Sequence, residues 1–516
     1  MIQTLFLVLV LHCVDSSNIL YIGALPSPSH YLWNKVLALE LVSIGHNVTM
    51  LTHDVDKDVR DNYTVISFKG FYEYSYENFD IEDLLLNSSP LNDIGALSDF
   101  IDITCDFDFK SSAFQKLLNY PENFKFDLIL FDVAGPVCLY GFIPRFKNPP
   151  VIAVSAYVVS PHLSHFLGNP LYTSYTPYFS TSFTNKMTFY QRTLNFVYTY
   201  LDILTHKYIF YPRQHKVAED AFNTTLPLFT DIQKQLGLYL VNFDPVIDYP
   251  TSLLPNIISV GGLHIKQPKC LSKDLEKVFD NAQHGVIFFS LGTNIQSFIF
   301  TSNDIKVFLD VFSKLKQTVI WKFDSNRVDN IPKNVIISKW LPQNDILGHP
   351  KTKLFITHCG ALSLQETIYH AVPVVGIPYF VDQNVNIAKI QNKRIGVYLD
   401  KHNFTFENIN EAVTEVLNNP RYALNIKEIS EKFKNQLNSP LDRAVFWIEH
   451  VLQYGTPKHL HVPGKDMAAY KTNDFDVLLL LVLCLFGVLY SLYFILRKSA
   501  LCLCNKLEML TSKKKQ

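Results

Sequence analysis

Short runs of consecutive apolar residues alternate along the chain with segments whose apolar positions recur at helical spacing. One such helical pattern covers about residues 31–44, directly after the first apolar run. Strands that are buried on both faces read as continuous apolar runs, so the pattern predicts parallel sheets covered by helices, in an α/β fold of two doubly wound domains. The runs lie at 18–23, 47–52, 126–133, 150–155, 286–292, 318–323, 335–338, 353–358 and 372–378.

Length and composition agree with two domains. The chain has 516 residues, whereas a single hydrophobic core stops growing at about 250–300 residues. The two series of runs are joined near 245–265, and we predict an N-terminal domain over 17–250 and a C-terminal domain over 251–455. With 48% hydrophobic and 18% charged residues the chain is too apolar to be disordered. A net charge of -1 argues against a nucleic-acid partner.

The two ends of the chain predict a membrane protein. Residues 1–16 contain a short apolar run followed by small polar residues, which is typical of a secretory signal peptide; the alternative is a buried first strand. Residues 477–496 carry no charge and are long enough to span a bilayer as a helix. They follow a membrane-proximal segment, 456–476, and precede a basic cytoplasmic tail, 497–516, so the domains are predicted to be luminal in a type I protein. Lys513 and Lys514 resemble the dilysine signal for the endoplasmic reticulum.

Cysteines and glycosylation acceptors fit a luminal location. The cysteines show no CxxC or Cys/His spacing of a metal site, so we expect no metal ion and no disulfide framework, although one bridge among the luminal cysteines is compatible with the spacing. The luminal cysteines are Cys105, Cys138, Cys270 and Cys359. Of the Asn-x-Ser/Thr acceptors, Asn62, Asn223 and Asn403 are favoured over Asn47 and Asn87.

The strongest chemical signal in the C-terminal half is a strand, a tight turn and a helix over residues 353–366. No GxGxxG follows any strand, so the sequence carries no fingerprint of a dinucleotide cofactor. The strand ends at His358, Gly360 permits close backbone approach, and the following helix points free N–H groups at one position. Ser363 and Glu366 lie three residues apart, on one face of that helix. This arrangement predicts a phosphate site with a carboxylate available for ribose hydroxyls.

The segment from Trp340 to Gln383 resembles the signature of the membrane-bound UDP-glycosyltransferases, the family that includes the glucuronosyltransferases. It contains W-x-P-Q, H-x-G, S-x-x-E and D-Q in the family's order, and further matches cover nearly the whole chain. The resemblance implies a GT-B fold, in which two Rossmann-like domains face a cleft. The N-terminal domain would bind the acceptor and the C-terminal domain the UDP-sugar, which is a co-substrate rather than a cofactor.

Site residues follow from the resemblance by position. Trp340 would stack on uracil, Gln343 would bind the uridine, and Glu366 would hold the ribose. The remaining positions would contact the diphosphate, at Thr293, His358, Gly360 and Ser363, and the hydroxyls of the sugar, at Asp382 and Gln383.

The chain departs from the family pattern at two positions. Cys359 stands where the family has a glycine, which would stiffen the diphosphate loop. Leu362 replaces an asparagine of the vertebrate glucuronosyltransferases and resembles invertebrate members. The second departure favours UDP-glucose over the alternative donor, UDP-glucuronic acid.

The N-terminal half supplies a candidate base. His30 opens the first long helix, whose positive end disfavours a charged imidazolium, and it matches the family's catalytic histidine. Asp132 ends an apolar strand and matches the aspartate that orients this histidine, whereas Asp127 begins the same strand and is less suitable. A hydroxyl deprotonated by His30 would displace UDP with inversion and give a β-glycoside.

The acceptor is predicted only by class. The aromatic stretch over 165–210 can wall an apolar cavity, rest on the membrane, or simply cover the sheet as a helical insertion. If the stretch walls an apolar cavity, the acceptors would be small lipophilic molecules, which would suit a role in detoxification. Two other classes compete with an enzyme: a catalytically silent UDP-sugar-binding protein, and a type I adhesion module. The sequence leaves association into homo- or hetero-oligomers open.

Overall fold

The computed structural model describes residues 16–56, 58, 60–295 and 299–513. The chain divides into two compact units, residues 1–461 and 462–516. The predicted signal peptide lies outside the described residues except for Ser16, and so does Lys514 of the tail signal.

Within the described residues, seven parallel strands form the first sheet, in the order β3-β2-β1-β4-β5-β6-β7. Strands β1 and β4 are neighbours, with Ile22 opposite Phe131, so the chain leaves both strands at one edge of the sheet. The strands are Asn18–Ile22 (β1), Asn47–Thr52 (β2), Tyr63–Ser67 (β3), Leu128–Asp132 (β4), Val151–Ser155 (β5), Leu238–Val241 (β6) and Ile257–Ser259 (β7).

Six further described strands form a second parallel sheet, in the order β10-β9-β8-β11-β12-β13. Most residues of both sheets are buried, which is why they read as continuous apolar runs. The strands are Val286–Ser290 (β8), Thr318–Lys322 (β9), Val335–Ser338 (β10), Thr352–Thr357 (β11), Val374–Gly376 (β12) and Gly396–Tyr398 (β13).

Helices cover both sheets, and many begin at the residue types that cap helices. Thr188 and Thr301 each form a reciprocal capping box with the residue three positions later. The helices of the first unit are Pro28–Ser43 (α1), Phe71–Asn78 (α2), Ile81–Leu86 (α3), Pro90–Lys110 (α4), Ser112–Leu118 (α5), Phe142–Arg145 (α6), Pro161–Phe166 (α7), Phe189–Thr205 (α8), Tyr211–Phe222 (α9), Phe229–Gln235 (α10), Lys273–Asn281 (α11), Ser302–Lys314 (α12), Gln343–Leu347 (α13), Ala361–Tyr369 (α14), Gln383–Asn392 (α15), Phe406–Asn418 (α16), Pro420–Lys434 (α17) and Pro440–Tyr454 (α18).

The structure revises the boundary between the two halves. Strand β7 pairs with β6 and completes the first sheet, so a boundary at 250/251 falls one strand too early. The last helix of the unit, α18, returns to the first half: Ala444, Ile448 and Val451 pack into the cluster around β1 and α1. Glu449 also contacts the His46 imidazole, at 2.5 Å.

The predicted strands are present, with ends that differ by a few residues. The strands that the apolar pattern did not predict are β3, β6, β7 and β13. They are three to five residues long; β3, β7 and β13 mix buried with partly exposed positions, whereas β6 is a buried apolar run of four residues that the sequence prediction missed. The two parallel sheets covered by helices confirm the predicted fold class.

The second unit consists mainly of one long helix. Helix Ala469–Thr472 (α19) lies within the segment 456–476 that was predicted to be membrane-proximal, and Phe475–Lys513 (α20) begins near its end. The portion Phe475–Leu507 is long and apolar enough to cross a membrane. The sequence prediction of a span over 477–496 falls inside it.

One disulfide joins two of the cysteines that were predicted to be luminal. Cys105 of α4 is bonded to Cys138, which follows β4. Cys270 is free and exposed, whereas Cys359 is free and buried.

Candidate active site

The carboxyl ends of the two sheets face one large cavity, of about 950 Å³. Ligands of doubly wound sheets bind at this edge of the strands. All but one of the predicted catalytic and UDP-sugar-binding residues line the cavity; the exception, Asp132, lies directly behind His30. The lining residues are His30, Thr293, Trp340, Gln343, His358, Gly360, Ser363, Glu366, Asp382 and Gln383.

His30 and Asp132 form a pair at the N-terminal side of the cavity. The helix α1 begins at Pro28, which places His30 in its first turn, and Asp132 is the last residue of β4. The His30 Nδ1 atom lies 3.5 Å from Asp132 Oδ2, and the Asp132 side chain is fully buried. This contact is long for a hydrogen bond.

Two further residues hold the Asp132 carboxylate in place. The Asn34 side chain, one turn after His30, donates to Asp132 Oδ2 at 2.8 Å and accepts from the Tyr21 hydroxyl at 3.0 Å. The other oxygen, Oδ1, accepts from the backbone N–H of Ala134 at 3.1 Å. These bonds fix the carboxylate beside the imidazole, which can then be kept in one orientation.

The His358 imidazole is enclosed between two glycines. A Cβ atom on Gly292 would lie 2.6 Å from His358 Cε1, and one on Gly360 would lie 2.5 Å from His358 Nε2. Gly292 also has a φ of +78°, which favours glycine. Burial, followed by the charge of Lys322, lowers the pKa of His358 to about 3, so the imidazole is a neutral hydrogen-bonding group.

Cys359 adopts a backbone conformation that suits glycine. Its φ is +66°, in the left-handed region that L-residues rarely occupy, which agrees with its replacing a glycine in the predicted loop. Its carbonyl oxygen accepts a bond from the Asn386 side chain at 2.9 Å. The turn therefore presents Gly360 and the start of α14 to the cavity.

Gln343 connects the first turn of α13 to α14. Its side-chain nitrogen donates to Glu366 Oε2 at 2.6 Å and to Ser363 Oγ at 3.0 Å. Burial raises the pKa of Glu366 to about 7, against the opposing effect of the Gln343 bond. His264 Nε2 lies 3.9 Å from the other carboxylate oxygen. Nearby, Trp340 is 73% exposed at the cavity edge, so its ring is accessible for stacking.

Asp382 and Gln383 line the same cavity as His30. Burial raises the pKa of Asp382, and the charge of Lys389 and the hydrogen bond from Asn386 oppose that effect. Asn386 donates to Asp382 Oδ2 at 2.8 Å. The Gln383 oxygen accepts from the Tyr379 backbone N–H at 2.8 Å, which anchors the loop before α15.

Comparison with known proteins identifies the family. The profile of the UDP-glucuronosyl and UDP-glucosyl transferase family matches residues 23–516. The chain belongs to this family. UDP-glycosyltransferase UGT5 of Dactylopius coccus is 30% identical, over 95% of this chain and 93% of its own length. UDP-glucuronosyltransferase 2B1 of Rattus norvegicus is 31% identical, over 95% and 94%.

Solved structures confirm the GT-B fold of this UDP-glycosyltransferase. CalG4, a calicheamicin glycosyltransferase, superposes with a TM-score of 0.55 at 16% identity, covering 86% of this chain and all of its own. Os79 from O. sativa, solved with U2F and trichothecene, superposes with a TM-score of 0.53 at 16% identity, covering 84% and 100%. At such identities the likeness concerns the fold.

Several polar residues of the transferase site were not predicted from sequence. Lys322 lines the cavity at the end of β9 and donates to the Gly292 carbonyl oxygen at 2.9 Å. The sequence feature that could have predicted Lys322 as a site residue is its place as a single cationic residue at the end of an apolar strand. Asn34 had a weaker signal, since a polar residue on the buried face of a helix needs a partner. The side chains of Ser27 and Asn294, from opposite halves, are 3.1 Å apart.

The wall that the N-terminal half contributes to the cavity is mainly apolar and aromatic. From the stretch over 165–210 it receives Tyr178 and Phe179, together with Asp202 and His206. The same stretch presents other aromatic side chains outward on α8, including Phe189 and Phe196. The stretch thus lines the cavity, as one of the three readings predicted, and also has an exposed apolar face.

Proposed function

We propose that the protein transfers a hexose from a UDP-sugar to a hydroxyl of a small lipophilic acceptor, with inversion to a β-glycoside. The observation that carries the proposal is the position of His30, which faces the same cavity as the strand-turn-helix over 353–366. His30 takes the proton of the attacking hydroxyl. Asp132 orients the imidazole and stabilises the charge that forms on it. The bond between the anomeric carbon and the UDP oxygen breaks as the new C–O bond forms.

Donor binding is assigned to the second half of the chain. Trp340 stacks on uracil, Gln343 binds the uridine, and Glu366 accepts bonds from the ribose hydroxyls. The sugar hydroxyls are bound by Asp382 and Gln383. This assignment agrees with the Gln343–Glu366 bond, which sets both groups side by side at the cavity wall.

The leaving UDP is stabilised by hydrogen-bond donors that are already in place before negative charge develops on the diphosphate. The diphosphate is received by the N-terminus of α14 and by the side chains of Thr293, His358 and Ser363, with Gly360 allowing close approach. Lys322 adds a positive charge at this end of the cavity. Since these donors come from the chain itself, we propose that the transfer needs no resident metal ion.

UDP-glucose is the proposed donor, with UDP-glucuronic acid as the alternative. A glucuronyl carboxylate requires a cation or several donors beside it. Among the described residues that line the cavity, Lys322 is the only lysine or arginine, and it sits at the diphosphate end. Leu362 adds no donor, and the Asp382 carboxylate would repel a second carboxylate.

The proposed location is the membrane of the endoplasmic reticulum, with the transferase domains luminal and α20 as the span. The apolar signal over residues 1–16, the length of α20 and its basic flank support this orientation. The disulfide between Cys105 and Cys138 fits an oxidising compartment. Acceptors of a membrane enzyme with an aromatic cavity would be small lipophilic alcohols or phenols, which suits detoxification.

The proposal is tested with microsomes that contain the expressed chain. Each of UDP-glucose, UDP-glucuronic acid, UDP-galactose and UDP-N-acetylglucosamine is incubated with a panel of phenols and steroids, and UDP release and glycoside mass are measured. We expect turnover with UDP-glucose and a β-linked product. Measurable UDP binding without turnover for any pair would instead favour a silent UDP-sugar-binding protein.

A further inference from the structure

A second cluster of ionisable side chains lies in the acceptor wall of the cavity, outside the proposed transfer machinery. His162 of α7, Asp202 near the end of α8 and His206 just after it all line the cavity. The His162 Nδ1 atom lies 2.9 Å from Asp202 Oδ2, and His206 Nδ1 lies 3.4 Å from Asp202 Oδ1. One potential ligand atom from each residue falls within 4.8 Å of the others.

We propose that His162, Asp202 and His206 bind a divalent metal ion of the zinc class, with its remaining coordination position open to the acceptor cavity. Two imidazoles and one carboxylate are a ligand set that zinc takes in sites with an open fourth position. Bonds of about 2.0–2.1 Å require ligand atoms roughly 3.3 Å apart at tetrahedral angles, so the separations within the cluster, at most 4.8 Å, adjust by up to about 1.5 Å on binding.

The charge of the cluster favours a cation. The Asp202 carboxylate is buried, and no lysine or arginine of the described residues pairs with it. A buried anion is costly unless a positive charge joins it.

The local backbone at His206 has an unusual form that a metal site would explain. Residues His206–Phe210 form a π-helical turn between α8 and α9, and such turns are frequent at functional sites. The His206 Nδ1 atom is 2.8 Å from the Asp202 backbone oxygen, so it can donate there and leave Nε2 for a ligand. Metal-binding histidines commonly donate their other ring nitrogen to a backbone carbonyl in this way.

The arrangement of the two rings predicts a specific change on binding. The His162 and His206 rings are stacked, with centroids 3.6 Å apart and planes at 13°. Stacked rings cannot both direct an in-plane lone pair at one ion. Binding therefore requires one ring to rotate, and the bond between Ser160 Oγ and His162 Nε2, at 3.1 Å, is the contact that would be lost or changed.

The test uses the full-length protein in detergent, stripped with a chelator and titrated with Co²⁺ while visible absorption is recorded. We expect one equivalent with the intense absorption of low-coordinate cobalt, displaced by Zn²⁺. His162→Ala, His206→Ala and Asp202→Asn should each weaken binding by more than the roughly 10–100-fold that changes around a metal site cost. Titrations of wild type and His206→Ala that coincide would overturn the proposal.

Two controls and one second measurement make the result specific. His165→Ala changes another histidine of α7, and His450→Ala removes one of two neighbouring rings, 5.7 Å apart, of His450 and His459. Both controls should bind cobalt like wild type. If the cluster variants do not fold, zinc X-ray absorption of the wild-type complex decides. Nitrogen and oxygen ligands with imidazole scattering support the site, whereas sulfur ligands, as from Cys270, overturn it.

Discussion

His30 Nδ1 faces Asp132 Oδ2 at 3.5 Å, although the two residues are separated by about a hundred positions of sequence. They meet because β1 and β4 are adjacent parallel strands, so the loop after β1 and the last residue of β4 share one edge of the sheet. Asn34 holds the carboxylate from the same helix that carries His30. The pair is thus built by the sheet order and stabilised by the first helix.

Removing the imidazole should separate chemistry from donor binding. His30→Ala is expected to lower the turnover rate by about 10²–10⁴-fold, the usual contribution of a general base, with UDP affinity nearly unchanged. Asp132→Asn should lower turnover as well, because the amide cannot stabilise an imidazolium. Turnover and UDP titration by calorimetry measure both effects. Wild-type turnover in His30→Ala would refute the assignment of the base.

Glu366 should make donor affinity depend on pH. Its pKa is raised by burial to about 7, and the ionised carboxylate is the stronger acceptor for ribose hydroxyls. UDP affinity should therefore rise as pH increases through about 7. UDP itself also ionises in this range, so the matched control is Glu366→Gln, titrated at the same pH values. Equal pH profiles for the two proteins would contradict the ribose assignment.

The same carboxyl group should affect stability with a defined sign. Its pKa is raised from the ordinary value of 4.5 to about 7 in the folded protein, so the folded state holds the proton more tightly than the unfolded chain. The free energy of unfolding should then decrease as pH rises from about 4.5 to about 7, by at most about 3 kcal/mol. Denaturant midpoints measured across this range should fall less steeply for Glu366→Gln.

Gly292 should be intolerant of alanine for two reasons. Its φ of +78° costs an L-residue about 1–2 kcal/mol, and the new Cβ would meet His358 at 2.6 Å, which adds about 1–3 kcal/mol. Gly70→Ala is the matched control, since its φ is +87° but the nearest atom is 4.0 Å away. Unfolding midpoints should drop further for Gly292→Ala, and only this variant should also weaken UDP binding.

Lys322 should contribute to diphosphate binding rather than to uridine binding. Lys322→Met removes the lone lysine of the described cavity lining while keeping a long side chain. We expect UDP affinity to fall about tenfold, as for the loss of a hydrogen bond from a charged group, and uridine affinity to change little. Calorimetric titrations with both ligands measure this. An equal loss for uridine would mean that the lysine acts only by holding the Gly292 loop.

Glycosylation should report both topology and local structure. Asn223 and Asn403 are exposed, whereas the Asn62 side-chain nitrogen donates to the carbonyl oxygens of Val42 and His46 at 3.0 and 2.9 Å. A luminal chain should carry glycans at the first two positions and not at Asn62. Asn223→Gln and Asn403→Gln should each remove one glycosidase-sensitive mobility shift, and Asn62→Gln should remove none. A shift lost in Asn62→Gln would contradict the reading of that site.

Local patterns in the chain were sufficient for the fold class, and the residues they predicted for the donor site line one cavity. A parallel strand that is buried on both faces consists mostly of apolar residues, as in β8 and β11, and is therefore visible in the sequence. The strands β7 and β13 are only three residues long and partly exposed, so the sequence shows no such run there. Residues 340–383 are close in sequence, so the spacing from Trp340 to Gln383 already contains much of the relation among them.

Contacts between distant segments were decided by the tertiary structure. Lys322 reaches the Gly292 loop because β8 and β9 are neighbours, and the cluster of His162, Asp202 and His206 exists because α7 packs against the end of α8. Spacing along a chain encodes which face of an element a residue occupies, but the order of strands and the packing of helices depend on the summed burial of the whole core. Side chains from separate elements therefore meet only when that core has formed.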